Sequence, residues 1–220
     1  MKHTLSIDNT LKITEIFYSL QGESKSVGLP TVFVRLTGCP LRCVYCDTAY
    51  AFQGGERQSV QSIVEVVKSY PTPHVTVTGG EPLAQPAVHL LMQQLCDAGC
   101  EVSIETAGAL DITVVDPRVR IVMDLKTPDS QEEKANRYDN IPLLKPTDEV
   151  KFVIGSRQDY DWSVAQCKQY NLYSRCEVLF SPSYGVLEPA TLADWVVQDR
   201  LPVRMQVQLH KILWGERSGC

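Results

Sequence analysis

The sequence has neither an excess of positive charge nor a long apolar run. Its 21 lysines and arginines are outnumbered by 26 aspartates and glutamates, which gives a formal net charge of -5. Phosphate backbones are bound through basic surfaces, so this balance argues against nucleic-acid binding. No stretch approaches the roughly 18 consecutive apolar residues of a membrane-spanning helix. We therefore expect neither a nucleic-acid partner nor a membrane partner.

The chain also lacks signs of export and of subdivision. It starts with MKHTLSIDNTLKITEIF, which does not show the basic, apolar and small-residue order of a secretion signal. No internal repeat or low-complexity tract interrupts the 220 residues. A chain of this length, with 44% hydrophobic residues, buries one sizeable core. We expect a cytoplasmic protein in which residues 1–220 form a single domain.

Cysteine is the residue type that departs from this ordinary composition. Three of the eight cysteines, Cys39, Cys43 and Cys46, lie within CPLRCVYC. Cytoplasmic thiols stay reduced, so such a group favours metal binding over disulfides. An iron–sulfur cluster and a zinc site both remain open, although the second Cys-x2-Cys pair typical of zinc is missing. The other five are interpreted as small apolar residues: Cys96, Cys100, Cys167, Cys176 and Cys220.

Short apolar runs rich in β-branched residues predict buried strands. These runs are residues 30–38, 74–80, 101–108, 120–126, 149–155, 176–181 and 203–210. Helical patterns occupy residues 59–70, 86–99 and 189–200, and Ser59 is the predicted N-cap of the first. The polar segment 127–146 is predicted to be a surface excursion.

Strands alternating with helices predict right-handed crossovers and parallel strand pairing. We predict an α/β fold, a single-domain partial (open) β/α barrel with a mostly parallel sheet of about six or seven strands. Such folds place their chemistry at the carboxyl ends of the strands. Cys39, Gly79 and Lys126 each follow a predicted strand closely, which indicates a shared site at that edge.

A glycine-rich turn, TGGEP from Thr78 to Pro82, follows the second predicted strand. Glycines permit close backbone approach at such a turn. The C-x3-C-x2-C loop followed by this turn resembles the radical S-adenosylmethionine superfamily. The resemblance implies a 4Fe-4S cluster held by Cys39, Cys43 and Cys46, with one open iron that binds S-adenosylmethionine.

Four further stretches resemble the 7-carboxy-7-deazaguanine synthase family. They are EIFYSLQGE (15–23), CDT (46–48), IETAG (104–108) and QLHKILWG (208–215). The resemblance implies a lyase that converts 6-carboxy-5,6,7,8-tetrahydropterin to 7-carboxy-7-deazaguanine (CDG) with loss of ammonia, in queuosine and 7-deazapurine biosynthesis. It also implies Mg²⁺ bound by Thr48, an electron-donor protein such as a flavodoxin, and a homodimer. From the residues alone, Thr48 is a helix N-cap or loop hydroxyl.

A pterin substrate presents a hydrogen-bonding edge and a carboxylate, so its pocket needs backbone amides, a carboxylate and a cation. Glu23 and Glu105 are the expected catalytic residues, although Glu105 and Arg35 also fit structural ion pairs. Gln208 and His210 are predicted on the last strand. The resemblance assigns substrate binding to Leu20, Gln21, Gly22, Glu23, Arg35, Thr78, Glu105, Gln208 and His210.

The resemblance places the cofactor contacts at strand ends. They are Tyr45, Cys46, Asp47, Gly80, Glu81, Asp124, Leu125, Lys126, Ser181, Pro182, Ser183 and Tyr184. Two of these segments read DLK and SPSY, where some relatives have SPK and QPxD. Both segments still carry polar side chains, while the individual contacts with the cofactor differ. Tyr45 fits either stacking on the adenine or packing on the core.

Two other functions fit part of the pattern. A glycyl-radical-enzyme-activating protein shares the cysteine spacing and a compact partial barrel but acts on a protein loop. It has no need for the LQGE segment or the LHKILWG segment. A non-enzymatic zinc-binding module is the alternative from a different class.

Overall fold

In this computed structural model, residues 9–215 are described, together with Arg217 and Gly219. The predicted apolar role of Cys220 lies outside the described residues. These residues contain nine strands: β1 (Thr10–Leu20), β2 (Pro30–Leu36), β3 (Glu56–Ser59), β4 (His74–Gly79), β5 (Glu101–Thr106), β6 (Arg120–Asp124), β7 (Glu149–Ile154), β8 (Glu177–Pro182) and β9 (Arg204–Met205). The helices are α1 (Val60–Lys68), α2 (Val88–Asp97), α3 (Arg157–Gln169), α4 (Leu172–Arg175), α5 (Pro189–Gln198) and α6 (Leu209–Trp214). Over the described residues, no helix has the length and apolar character needed to cross a membrane.

All nine strands form one open sheet in the order β3-β1-β2-β4-β5-β6-β7-β8-β9. From β2 through β4 to β9 the neighbours are parallel, whereas β1 is antiparallel to both β2 and β3. The predicted open, mostly parallel α/β sheet is confirmed. Two strands were not predicted, because β1 is mostly half-exposed and the sequence of β3, ERQS, contains no apolar run. Backbone pairing with β1, from Thr10 opposite Ser59, defines β3 instead.

The last predicted strand, 203–210, is wrong beyond Met205. Only Arg204 and Met205 pair with β8, and the chain then enters α6. The backbone N–H of Leu209 donates to the carbonyl oxygen of Gly22 at 3.0 Å, which draws this segment across the barrel. Gln208 is therefore the N-cap of α6 and His210 lies within that helix.

The three predicted helices are present as α1, α2 and α5. The side chain of Ser59 accepts from the Ser62 N–H at 3.1 Å, which confirms the predicted N-cap. Gly99 follows α2 with φ +86°, a conformation that favours glycine at a helix end. The sequence RQDYDWSVAQCKQ of α3 is mostly polar, so no clear apolar stripe revealed it. Its N-cap is Ser156, whose side chain accepts from the Asp159 N–H.

The prediction of a surface excursion for residues 127–146 is wrong in part. Ser130 and Asn140 are fully buried, and the Asn140 amide donates to the carbonyl oxygens of Gly108 and Leu110. The carbonyl oxygen of Ser130 accepts from the Val44 N–H in the cysteine loop at 3.2 Å. Polar residues are buried here because they satisfy backbone groups of the strand-end loops.

The hairpin loop between β1 and β2, residues 21–29, reaches across the open side of the sheet. We call it the cross-barrel loop. Its Lys25 N–H donates to Oε2 of the buried Glu149 at 2.8 Å, and the Lys25 Nζ lies 3.4 Å from Oε2 of Glu177. Glu149 starts β7 and Glu177 starts β8, so the loop joins the two sides of the barrel. It thereby places Gln21, Gly22 and Glu23 against the barrel interior.

Candidate active site

A cavity of about 700 Å³ lies over the carboxyl ends of the strands. Its volume is in the range of small-molecule sites. It gathers predicted residues that are up to 190 positions apart because the topology brings the strand ends and α6 together. The predicted residues that line it are Leu20, Gln21, Gly22, Glu23, Arg35, Cys39, Cys43, Tyr45, Cys46, Asp47, Thr48, Thr78, Gly80, Glu105, Asp124, Lys126, Ser183, Tyr184, Gln208 and His210.

Four predicted cofactor residues do not line this cavity. Leu125, Ser181 and Pro182 are buried behind its wall. The fully buried Glu81 carboxylate accepts from the Thr106 hydroxyl at 2.9 Å and from the backbone N–H of Ala107 at 2.8 Å. Glu81 thus stabilises the turn through its side chain, away from the residues that line the cavity, and its cofactor contact stays a prediction.

The cysteine loop is anchored by its own backbone. The Gly38 N–H donates to the carbonyl oxygen of Ala51 at 2.8 Å, and the Cys46 N–H donates to that of Cys43 at 3.2 Å. The Leu41 N–H lies 3.4 Å from Sγ of Cys39, where it supports a thiolate. All three loop cysteines are half-buried and free. The loop therefore presents three unpaired thiols to one cavity.

The number of thiols in the loop bears on which metal centre it fits. The loop supplies three free thiols, whereas a structural zinc site normally has four protein ligands. In an iron–sulfur cluster each thiolate binds a separate iron, so three thiolates leave one iron of a four-iron cluster open. The donor set therefore fits such a cluster.

Burial governs the electrostatics of the loop. It raises the pKa of Cys39 and raises that of Cys43 to about 11, against the opposing charge of Lys126. Thiolates at these positions need a strong positive charge, which a bound metal centre supplies.

The glycine turn after β4 packs directly on the root of the cysteine loop. A Cβ on Gly80 would lie 2.2 Å from the carbonyl oxygen of Gly38 and 2.8 Å from Cβ of Cys39. The Gly80 N–H also donates to the Leu36 carbonyl oxygen at 3.2 Å. The predicted close backbone approach is confirmed, and its partner is the neighbouring loop. The turn thus positions Cys39.

Glu23 is a partly buried, ionised carboxylate. Its Oε2 lies 2.6 Å from the Lys151 Nζ, and its Oε1 accepts from the Gln208 amide at 2.8 Å. Burial by itself raises the pKa of Glu23, but the Lys151 charge and these hydrogen bonds outweigh it and lower the pKa to about 2. Glu23 is therefore a charged hydrogen-bond acceptor at neutral pH.

Glu105 lies nearby in a different environment. It accepts from the Thr78 hydroxyl at 2.8 Å and from the Gln21 amide at 3.3 Å. Burial raises its pKa, Lys151 opposes the shift, and the charge of Glu23 reinforces it. The cavity thus holds one carboxylate that is firmly ionised and one that is shifted towards its neutral form.

Arg35 forms the predicted structural ion pair, and it does so at the cavity wall. Its Nε lies 2.8 Å from Oε1 of Glu15, so the structural ion pair is present. The guanidinium also lies 5.5 Å from the centre of the Phe17 ring and 5.8 Å from that of Tyr50. These contacts fix the cation at the cavity wall, where it lies within reach of an anionic ligand.

Lys151 lines the cavity, although the sequence did not predict it as a site residue. Besides Glu23, its Nζ approaches Oδ2 of Asp124 at 3.4 Å, and Lys126 approaches the same oxygen at 3.2 Å. Oδ1 of Asp124 is buried and has no hydrogen-bond partner within the described part of the chain. A lone lysine inside the apolar strand VKFVI was the available signal, because such a charge is buried only when it is paired.

The α6 segment covers one side of the cavity. Gln208 donates to Glu23 and also to Oδ2 of Asp47 at 3.2 Å. His210 packs so closely on Gly22 that a Cβ there would lie 2.2 Å from its Nδ1. These contacts bring Gln208 and His210 to the predicted site, although they belong to the start of α6 and not to a strand.

Thr48 precedes the 3₁₀ turn Ala49–Phe52, and its side chain makes no capping hydrogen bond. Its hydroxyl oxygen lies 3.8 Å from Sγ of Cys46. Thr48 thus occupies the N-cap position without the capping bond, and its residue lines the cavity beside Cys46.

Residues 33–171 match the model of the Radical SAM superfamily. The chain is 43% identical to the 7-carboxy-7-deazaguanine synthase of Chlorobaculum tepidum, over 96% of this chain and 97% of that protein. It is 41% identical to the enzyme of the same name from Koribacter versatilis, over 93% and 97%. The chain belongs to the 7-carboxy-7-deazaguanine synthase family of radical SAM enzymes.

Solved structures agree with this family on the fold. QueE from Escherichia coli superposes with a TM-score of 0.75 at 22% identity, covering 91% of this chain and 95% of QueE. Streptococcus suis SuiB bound to S-adenosylmethionine gives 0.55 at 14% identity, over 78% of this chain and 45% of SuiB. At these identities the likeness concerns the fold alone.

A radical SAM enzyme of this family uses a 4Fe-4S cluster and S-adenosylmethionine. Two observations fit these groups to the cavity: the three free thiols, and the unpartnered Oδ1 of Asp124. The first provides the cluster ligands, and the second is an acceptor for a hydroxyl of a bound ligand.

Proposed function

We propose that this chain converts 6-carboxy-5,6,7,8-tetrahydropterin to 7-carboxy-7-deazaguanine with loss of ammonia. One observation carries the proposal: a single cavity joins the three thiols to Glu23, Glu105 and a fixed arginine. A small polar molecule with a carboxylate matches these buried charges. The loop of a protein substrate, which a glycyl-radical activator requires, has no such match here.

On the cofactor side, Cys39, Cys43 and Cys46 would hold the cluster. The cluster and S-adenosylmethionine would supply the radical chemistry that removes a hydrogen atom from the substrate. Oδ1 of Asp124 would accept from the cofactor, and the Gly80 carbonyl would accept from its ammonium. The other proposed contacts are Tyr45, Asp47, Lys126, Ser183 and Tyr184, with Leu125, Ser181 and Pro182 contributing through the backbone only.

On the substrate side, the ionised Glu23 would accept N–H groups from the guanidine-like edge of the pterin. Arg35 would pair with the pterin carboxylate. Glu105, shifted towards its neutral form, would hold or exchange a proton at the ring. Leu20, Gln21 and Gly22 would add main-chain contacts, and Thr78, Gln208 and His210 would complete the pocket.

We propose that the Thr48 hydroxyl binds Mg²⁺, which prefers oxygen ligands and retains several waters. Its uncapped hydroxyl supports this role. The further proposals are a cytoplasmic location, a single domain over residues 1–220, a homodimer, and an electron donor such as a flavodoxin. One sheet through the described residues supports the single domain.

Anaerobic reconstitution tests the cofactor assignment. Iron and sulfide are expected to give a brown protein that absorbs at about 400 nm. Cys43→Ala should lose this band, while Cys167→Ala, a buried cysteine outside the cavity, should keep it. A colourless wild-type protein that binds one zinc would contradict the assignment.

The substrate is tested by adding S-adenosylmethionine, a reductant and 6-carboxytetrahydropterin to the reconstituted enzyme. We expect 7-carboxy-7-deazaguanine, identified by its mass, and one ammonia per product. Formation of 5′-deoxyadenosine with recovery of unchanged pterin would refute the substrate assignment.

A further inference from the structure

Lys151 lies where the substrate and cofactor sides of the cavity meet. It is the third residue of β7, and its side chain is only 13% exposed. In the register of the sheet it stands opposite Asp124 of β6 and Leu179 of β8. Lys151 is thus an enclosed cation among the residues that line the cavity.

The ammonium contacts one carboxylate on each side. On the proposed substrate side it lies 2.6 Å from Oε2 of Glu23. On the proposed cofactor side it lies 3.4 Å from Oδ2 of Asp124. Glu23 comes from the cross-barrel loop and Asp124 from the end of β6, so no local backbone geometry relates their positions.

The two contacts also determine which carboxylate oxygens the protein holds and which can accept from a ligand. Lys126 and Lys151 both approach Oδ2 of Asp124, and Oδ1 is left buried without a partner within the described residues. On Glu23, Lys151 holds Oε2 while Gln208 holds Oε1. Both carboxylates are thereby oriented before any ligand binds, which lowers the ordering cost of binding.

We propose that Lys151 is a positioning residue that fixes the carboxylates of Glu23 and Asp124 relative to each other. The pterin and the cofactor then bind in the relative orientation required for hydrogen transfer. The proposal rests on the proposed function, since it assumes a pterin on the Glu23 side. Lys151 acts through the two carboxylates, and its loss misaligns the reactants without removing a group that contacts the reacting atoms.

The test compares Lys151→Met with the wild-type enzyme by two measurements. One is calorimetric binding of pterin-6-carboxylate, an unreactive analogue, to the cluster-free protein. The other is the ratio of 5′-deoxyadenosine to product in the loaded enzyme. We expect binding at least about tenfold weaker, because Glu23 is left buried without its cation. We also expect the ratio of deoxyadenosine to product to rise several-fold.

Lys145→Met is the matched control, because Lys145 forms an ion pair with the buried Asp148 outside the cavity. It should leave the affinity and the ratio unchanged. Lys151→Arg retains the charge and moves its position, so it should fold as the wild type does yet show a raised ratio. Wild-type affinity and ratio in both Lys151 variants would overturn the proposal.

A double-mutant cycle separates positioning from a general structural effect. If Lys151 acts through Glu23, Lys151→Met should weaken analogue binding much less in a Glu23→Gln background. Equal losses in both backgrounds would overturn the proposal. Absence of product from the wild-type enzyme would instead refute the substrate assignment, whereas the binding cycle would still report on Lys151.

Discussion

At the scale of single residues, the cavity shows one residue type in two electrostatic states. Glu23 and Glu105 are both partly buried, yet the pKa of Glu23 falls to about 2 and that of Glu105 rises. The difference lies in their partners. Glu23 has the Lys151 ammonium at 2.6 Å, whereas Glu105 accepts from the neutral groups of Thr78 and Gln21. Pairs of carboxyl groups with divergent pKa values are typical of sites that separate a fixed charge from a proton carrier.

The depressed pKa of Glu23 predicts a pH-dependent contribution to stability. Its value of about 2 lies below the ordinary 4.5, so the stabilisation is present above pH 4.5 and is lost as the pH falls towards 2. Above that window, Glu23→Gln should lower the free energy of unfolding by about 2 to 3 kcal/mol. Urea unfolding at pH 7 and at pH 3 measures the difference, which should shrink at pH 3.

The matched control for this experiment is Glu188→Gln, because Glu188 is exposed and its side chain does not cap α5. It should change stability by less than about 0.5 kcal/mol at either pH. An equal loss at pH 7 and pH 3 for Glu23→Gln would contradict the assigned ionisation of Glu23.

At the scale of elements, the cysteine loop depends on its neighbours for its position. The glycine turn after β4 presses on Gly38 and Cys39, and the segment 127–146 holds the loop through the carbonyl oxygen of Ser130. Three thiols close in sequence are thus necessary but insufficient for a preformed site. The surrounding elements set where those thiols point.

Gly80→Ala tests this dependence. The new Cβ would meet backbone atoms of Gly38 at 2.2 Å, and backbone cannot move aside cheaply. We expect displacement of Cys39 and at least about a twofold loss of iron per chain after reconstitution. Gly99→Ala is the control, since nothing lies within 4 Å of its Cβ position and only backbone strain results. Equal iron content in both variants would refute the role of the turn.

At the scale of the whole molecule, an open sheet must hold its two sides together without closing. The cross-barrel loop does so through Lys25, which contacts Glu149 and Glu177. Glu149 is fully buried and its Oε1 lies 3.3 Å from Nε of Arg120. Because Gln21 and Glu23 belong to the same loop, the contact that joins the barrel also positions the proposed substrate groups.

Glu149→Leu should therefore affect both stability and binding. It leaves the Lys25 N–H without its acceptor and Arg120 without its ion-pair partner, at about 2 kcal/mol of unfolding free energy. It should also weaken binding of pterin-6-carboxylate, since the loop loses its anchor on β7. Asp161→Asn removes an exposed ion pair with Arg157 and should cost less than about 0.5 kcal/mol. Unchanged analogue affinity in Glu149→Leu would contradict the coupling of loop and site.

The sequence predicted those parts of the site whose residues are close together in the chain. The cysteine loop and the glycine turn are local motifs, and apolar runs revealed seven of the nine strands, the last of them with the wrong end. The sequence did not reveal Lys151, because its role depends on contacts with residues 27 and 128 positions away. It also misassigned Gln208 and His210 to a strand, because the Leu209 bond to Gly22 competes with strand pairing.

By itself, the sequence determined the α/β class and the group of three thiols, since local spacing and periodicity carry that information, and its motifs resembled the family to which the chain belongs. Only the tertiary structure decided which of the predicted groups meet. It engaged Glu81 within the turn, paired Glu23 with Lys151, and left Oδ1 of Asp124 unpartnered within the described residues. The physical reason is that burial and charge pairing depend on distances through space, which short-range sequence patterns do not encode.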